Sequence, residues 1–155
     1  MRESICWICG CQANSREHVI KKSDIVRAYG RKLMNKAVHV KNNVQHLLQS
    51  PNSTYIKYDA SLCHNCNTTV TQPFDRAYDR FIDYIHNNED DILRKRFIDF
   101  YDVYGNSFEL GQRNLYNYFA KSFGCRVYAV NHKVPEDVVE LIGKTYFETG
   151  LRVNF

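Results

Sequence analysis

Two Cys-x-x-Cys pairs are the strongest chemical feature of this sequence. Cys6 and Cys9 form the first pair, and Cys63 and Cys66 form the second. Each such turn lets two thiolates converge on one ion at about 2.3 Å, and structural zinc takes four ligands in a tetrahedron. We therefore predict a structural zinc site with four cysteine ligands. The stretch between the pairs is too long for a zinc ribbon, so we expect it to form a folded insert.

Two neighbouring residues could compete for the ion. Cys11 follows the first pair and His64 lies within the second, but neither has the Cys-x-x-Cys spacing. We therefore leave both out of the predicted ligand set. Cys125 lies in an apolar stretch and is expected to be a small buried side chain.

An acid and a histidine lie side by side between the two pairs. Glu17-His18 opens the segment "EHVIKKS", and Asn67 directly follows the last cysteine of "LCHNCN". By itself a Glu-His pair is equally well explained by a surface strand. The complete order, in which Cys-x-x-Cys is followed by Glu-His and then by Cys-x-x-Cys-Asn, is far more specific.

This order resembles the HNH endonucleases of the ββα-metal class. It is closest to the tetracysteine-zinc subgroup of the phage endonuclease VII type, in which "EHIIPKS" and "LCxxCN" are the corresponding forms. Lys21 stands where that family often has proline. The resemblance covers residues 6 to 67. The matching residues are Cys6, Cys9, Glu17, His18, Cys63, Cys66 and Asn67.

The resemblance implies metal-assisted hydrolysis of a phosphodiester bond in DNA. His18 would be the general base, and the oxygens of Asn67 and Glu17 would bind Mg²⁺ or another divalent ion, while the zinc would be structural. Neighbouring strand residues point to opposite faces, so Glu17 reaches the same phosphate only from an irregular strand start, and otherwise acts behind the ligands. Asn52 fits poorly as the asparagine that many HNH motifs have before the second cysteine pair, so we expect a backbone carbonyl in its place.

Basic residues follow the Glu-His pair and suggest a nucleic-acid surface. Residues 1–57 hold ten Lys and Arg against three Asp and Glu, whereas residues 58–155 hold eleven against fourteen. A basic half of this kind favours a polyanionic partner, although a solvated basic face explains it equally well. The predicted phosphate contacts are Lys21, Lys22, Arg27, Arg31 and Lys32.

Two other groups of side chains have structural explanations that we prefer to functional ones. Asp75 and Asp79 lie one helical turn apart and could bind a metal, but a salt-bridged helix face is the better interpretation. Aromatic residues of the C-terminal half could stack on bases, but their helical spacing favours core packing. They are Tyr101, Tyr104, Tyr116, Tyr118 and Phe119.

Hydrophobic patterning places these residues on elements. We predict short strands over residues 17–20, 37–40, 53–58 and 125–130. We predict helices over residues 24–34, 73–85, 90–101, 113–123 and 135–143, the first capped by Ser23. The terminal segment 151–155 is apolar and strand-like, so we expect the chain to be truncated or to continue into another module.

The predicted fold is α+β. We expect a zinc-stapled ββα-metal core with a treble-clef-like form over residues 1–72, and a mainly helical extension packed on it over residues 73–155. No apolar run is long enough for a membrane helix and no signal sequence is evident, so a cytoplasmic protein of bacterial or phage type is expected.

Three classes of function stay open at this point. The first is a DNA endonuclease, with RNA as a lesser alternative substrate and a homodimer or larger assembly as a possible form. The second is a zinc module that binds nucleic acid without cutting it. The third is a structural zinc domain of a larger defence or phage assembly.

Overall fold

The structure is a computed structural model that describes residues 4–31, 37–41, 43–143 and 149–153. It is a mixed α/β protein in which helices predominate. Lys32 and the end of the first predicted helix lie outside the described residues. The helices are α1 (Lys22–Tyr29), α2 (Gln72–Asn87), α3 (Glu89–Lys95), α4 (Phe100–Tyr104), α5 (Phe108–Ala129) and α6 (Glu136–Gly143).

One regular hairpin lies within the insert. Strand β1 (Val38–Lys41) pairs antiparallel with β2 (Val44–Leu47). The prediction of a strand over 37–40 is confirmed, whereas its partner lies in a polar stretch that gave no strand signal. The strand predicted over 53–58 is wrong, because Thr54–Ile56 forms a 3₁₀ turn in which the Tyr55 amide donates a hydrogen bond to the Ser53 hydroxyl.

The segment that holds the Glu-His pair runs beside the approach to the second cysteine pair. Ser15 bridges Leu62 and His18 bridges Lys57, both in antiparallel fashion. Between the two bridges, the chain advances three residues from Ser15 to His18 but five residues from Lys57 to Leu62. The pairing therefore contains a bulge. The predicted regular strand over 17–20 is therefore wrong, since only isolated bridges form there.

Helix α1 begins one residue earlier than Ser23, which therefore does not cap it. The Ser23 hydroxyl instead donates a hydrogen bond to Asp79 on α2, over 2.6 Å. Gly30, with φ of 78°, ends the helix. This positive φ suits glycine because the residue has no Cβ to clash with the backbone.

In the helical half, α2 and α6 form where the sequence predicts helices, whereas one other predicted helix is interrupted. Phe74, Ala77 and Phe81 form the buried face of α2, as predicted. The helix predicted over 90–101 is broken by Arg96, which has φ of 59° and separates α3 from α4.

The predicted strand over 125–130 is wrong, because these residues continue α5 without interruption. Their β-branched character is outweighed by packing: Cys125 is fully buried, and the ring of Trp7 covers Gly124 so closely that a Cβ there would lie 2.5 Å from it. Tertiary contacts of this kind override weak local propensity.

One apolar cluster joins the cysteine region to the helical half. Cys6, Trp7 and Leu62 pack in it with Ala120 of α5 and Val138 of α6. A second cluster lies between α2, α4 and α5, and a third lies within the insert. The cysteine region is thus anchored on the long helix α5. In the described part of the chain, no helix has the length and apolar character needed to cross a membrane.

Candidate active site and metal centre

The four predicted zinc ligands come together. The sulfur atoms of Cys6, Cys9, Cys63 and Cys66 all lie within 4.8 Å of one another, and the Cys9 and Cys63 sulfurs are 3.6 Å apart. Gly10, with φ of 76°, lets the first turn close, and its amide donates to the Cys6 carbonyl over 2.8 Å. Four thiolates around one point are a donor set that suits zinc. The predicted convergence of these four cysteines into a group that could hold zinc is confirmed.

The competing residues stay outside this cluster. Cys11 is exposed, and its carbonyl accepts from the Cys6 amide over 2.7 Å. His64 is also exposed, and its backbone amide donates to Asn14. Cys125 is buried near the Ser61 hydroxyl, and burial raises the pKa of its thiol to about 11. It is therefore the inert core thiol that the sequence predicts.

The second cysteine pair leads directly into the helix that bears Asn67. The Asn67 amide donates to the Cys63 carbonyl over 3.0 Å, and Cys66–Val70 forms a π-helical turn that runs into α2. Such turns are rare and frequently lie at functional sites. A zinc ion held by the cysteines would therefore fix the backbone that positions Asn67.

Only one of the two polar atoms of the Asn67 side chain makes a hydrogen bond to a described residue. Its Nδ2 donates to the Ser15 hydroxyl over 2.9 Å, which joins the helix start to the segment that holds the Glu-His pair. Its Oδ1 is buried and finds no hydrogen-bond partner in the described part of the chain. A buried polar atom without a partner is costly and calls for an explanation such as a bound ion or water.

His18 is half-buried, and its Nε2 is likewise buried with no partner among the described residues. Burial lowers the pKa of the imidazole, and the nearby charges of Lys57 and Lys22 lower it further, so His18 is neutral at pH 7. The charge of Glu17 and the nearby side chain of Asn52 act in the opposite direction on the pKa. Folding thus brings Asn52 to His18, although its place in the sequence made it a poor fit for this role.

Glu17 points away from solvent toward α5. Its Oε2 lies 2.7 Å from Nζ of Lys121, and its Oε1 accepts from the backbone amide of His18 over 3.1 Å. The Lys121 side chain is only 1% exposed, and it also contacts Asp75 at 3.1 Å. The Glu17 carboxylate is therefore already paired, and its predicted part in binding a divalent ion stays a prediction.

The predicted phosphate contacts fall into two groups. Lys21 pairs with Asp75 and Asp79, both at 3.2 Å, and Arg27 pairs with the Asp24, Asp79 and Asp83 carboxylates. By contrast, Lys22 and Arg31 are exposed, and neither makes an ion pair with a described acidic residue. Among the described members of this set, Lys22 and Arg31 are therefore the cations available to bind an anionic ligand.

The two groups given structural explanations behave largely as predicted. Asp75 and Asp79 are ion-paired, and their partners are Lys21, Arg27 of α1 and Lys121 of α5. The rings of Tyr104, Tyr118 and Phe119 lie in or against the apolar cores, and the Tyr116 hydroxyl donates to the Leu151 carbonyl. Tyr101 is exposed, so core packing does not apply to it.

Sequence reasoning missed Lys121 because a lysine within "YFAKSF" has the pattern of an exposed helix position. No local signal marks it, since its two acidic partners lie 104 and 46 residues away. Comparisons with known proteins add no further candidate residues. No protein-family model, no curated protein and no solved structure matches this chain.

Proposed function

We propose that this protein is a metal-dependent DNA endonuclease of the HNH type. The observation that carries the proposal is the orphaned Oδ1 of Asn67, the atom that the motif assigns to a divalent ion. It lies buried on the turn that follows the cysteine cluster, and it is held toward the Glu-His segment by Ser15. A divalent ion at this position would satisfy the buried oxygen.

His18 is the general base in this proposal. Its imidazole accepts the proton of the attacking water, and Asn52 orients the ring from the insert. The Ser15–Leu62 and His18–Lys57 bridges hold this segment against the chain that leads into the second cysteine pair. His18 and Asn67 are therefore carried by two segments of one small unit.

Asn67 offers a carbonyl-type oxygen, which is the donor chemistry that Mg²⁺ prefers. A divalent ion held there would stabilise the negative charge that develops on the leaving oxygen. Glu17 has a different part in this proposal: paired to Lys121 and to the amide of His18, it positions the backbone of the general base. The zinc is structural and fixes the turn that bears Asn67.

A plasmid-nicking assay with Mg²⁺, Mn²⁺ or Ni²⁺ tests the proposal. Removing a general base costs about 10²–10⁴-fold in rate, so His18→Ala should lower nicking by that factor. Asn67→Ala should raise the concentration of divalent ion needed for half-maximal nicking. Both variants should keep the zinc content and DNA affinity of the wild type.

His64→Ala is the matched control, because this exposed histidine lies beside the cysteines but outside the proposed site. It should nick plasmid like the wild type. Zinc-loaded wild-type protein that binds DNA, yet never cuts it with any of the three ions, would contradict the proposal.

Binding without cutting would favour the second candidate, a zinc module without catalytic activity. Such a module either binds nucleic acid without cutting it or has a structural role in a larger assembly. The pairing of Glu17 with Lys121 is the observation that favours it, because it leaves that carboxylate without a direct role at a metal. The plasmid-nicking assay alone distinguishes the two candidates. Absence of DNA binding at low salt would leave only the structural role.

A further inference from the structure

Two exposed arginines of α2 line a cavity in the helical half. Arg76 and Arg80, the arginine pair, stand one helical turn apart, and a cavity of about 260 Å³ lies between them and the start of α5. Ser107, which precedes α5, and Asn114, which lies within it, line the other side. None of the residues that line this cavity belongs to the proposed nuclease site.

The arginine pair makes no ion pair with a described acidic residue, although three aspartates share α2 with it. These aspartates pair with cations of other segments. Asp75 contacts Lys121 of α5 at 3.1 Å, and Asp79 and Asp83 contact Arg27 of α1 at 3.4 and 2.7 Å. The neighbouring carboxylates are therefore engaged elsewhere, and the pair keeps its charge for an anion from outside the chain.

A buried tyrosine holds the floor of the cavity in place. Tyr104 is 6% exposed, and its hydroxyl donates to the carbonyl of Ala77 on α2 over 2.9 Å. Its ring lies against Gly111 of α5 so closely that a Cβ there would not fit. The guanidinium of Arg80 lies 5.7 Å above this ring. Such a cation–π contact orients a guanidinium and still leaves N–H donors for a ligand.

The donors of this cavity match a phosphate group. Side chains one turn apart on a helix have Cβ atoms about 5–6 Å apart, so two guanidiniums can bind one anion together. Each guanidinium presents a planar fork of N–H groups that binds two oxygens at a time. A carboxylate has only two oxygens and fills one fork, whereas a phosphate has enough oxygens for both.

We propose that this cavity binds the phosphate of a nucleotide, with Arg76 and Arg80 holding its oxygens. Pro73 and Leu110 also line the cavity and offer apolar surface to the sugar that bears the phosphate. The nucleotide is either free or part of a nucleic-acid backbone, because both present the same group. This inference goes beyond the proposed endonuclease function and does not depend on it.

Two binding measurements on the zinc-loaded full chain distinguish these sources. No other divalent ion is added, so that cleavage does not interfere. The first measurement titrates adenosine monophosphate by calorimetry, with adenosine as the probe that lacks the phosphate. The second follows the binding of a short fluorescein-labelled DNA duplex over a range of salt concentrations.

The test variant is Arg76→Gln/Arg80→Gln, which removes both charges and keeps most of each side-chain stem. Because both arginines are exposed, the variant should keep the zinc content and melting temperature of the wild type. Arg126→Gln/Lys133→Gln is the matched control, since it removes the same charge from two exposed residues outside the cavity lining.

A free-nucleotide site predicts that adenosine monophosphate binds more tightly than adenosine, and that its affinity falls about tenfold or more in the test variant but not in the control. A backbone site predicts that the salt slope of duplex binding falls by about two in the test variant, and by less in the control. If neither the nucleotide affinity nor the salt slope differs between the two variants, the inference is overturned. The endonuclease proposal would still stand in that case, because plasmid nicking by the wild type tests it separately.

Discussion

Lys121→Met gives the sharpest test of how the helical half supports the proposed site. Lys121 lies on α5 with 1% of its side chain exposed, and its Nζ contacts Glu17 at 2.7 Å and Asp75 at 3.1 Å. Burial by itself would lower the pKa of Lys121, but the charges of Glu17 and Asp75 outweigh it and raise the pKa above that of a free lysine. The ion pair is therefore fully formed at neutral pH, and its contribution to stability is lost only as the pH rises through that raised pKa.

Methionine keeps most of the apolar stem and removes the charge. Breaking a buried ion pair by removing one partner costs about 3–5 kcal/mol, because the other charge is left uncompensated. Glu17 is 15% exposed, and Asp75 keeps Lys21 as a partner, so the lower end applies. We expect the free energy of unfolding to fall by about 3 kcal/mol.

Urea denaturation of the zinc-loaded protein at pH 7 measures this change. The double variant Glu17→Gln/Lys121→Met leaves no unpaired charge on Glu17, so it should recover about 1 kcal/mol of the loss, since contacting residues couple by about 0.5–3 kcal/mol. Lys95→Met is the control: its pair with Asp91 is a surface contact, with the lysine 45% exposed, and should contribute less than about 0.5 kcal/mol. A Lys121→Met protein within 1 kcal/mol of the wild type, or a double variant no more stable than the single one, would refute this reasoning.

The cysteine cluster and the packing on α5 give two further predictions. The protein should contain one zinc per chain by metal analysis, and a chelator should lower its melting temperature; Cys63→Ser should lose the zinc, whereas Cys11→Ser should retain it, and loss in both would contradict the ligand assignment. Gly124→Ala should lower the free energy of unfolding by about 1–3 kcal/mol because its Cβ would meet the ring of Trp7, as overpacked core positions do. Gly143→Ala is the matched control, since a Cβ there would meet no described atom within 4 Å, and an equal loss in both variants would mean that Trp7 is not the cause.

The cysteine cluster could be predicted from spacing because its chemistry is local in each half. A Cys-x-x-Cys turn brings two sulfurs together whatever the rest of the fold does, and four thiolates are a ligand set typical of structural zinc. Helix α2 could also be predicted, since it has a long apolar stripe at helical spacing. The short helix α6 could be predicted because Pro135 suits a first helical turn and Gly143 a helix end. Short segments were harder to predict. The strands predicted at 17–20, 53–58 and 125–130 are instead isolated bridges, a 3₁₀ turn and part of a continuous helix.

The approach of Asn52 to His18 depended on the insert. Thirty-three residues separate them in the chain, and they approach each other because α1 and the hairpin return the chain to its starting point, where Lys57 pairs with His18. No spacing rule fixes the outcome of such a return, since loop length by itself does not determine where a loop ends.

The sequence by itself determined the four thiolates, the Glu-His pair and the asparagine that follows the last cysteine, because these depend on residue type and short spacing. Tertiary structure decided which charges are available to a ligand. Lys21 and Arg27 are neutralised by the aspartates of α2, Glu17 is held by the buried Lys121, and Lys22 and Arg31 make no ion pair with a described acidic residue. The physical reason is that an ion pair forms between groups that folding brings within a few ångströms, whatever their separation in the chain.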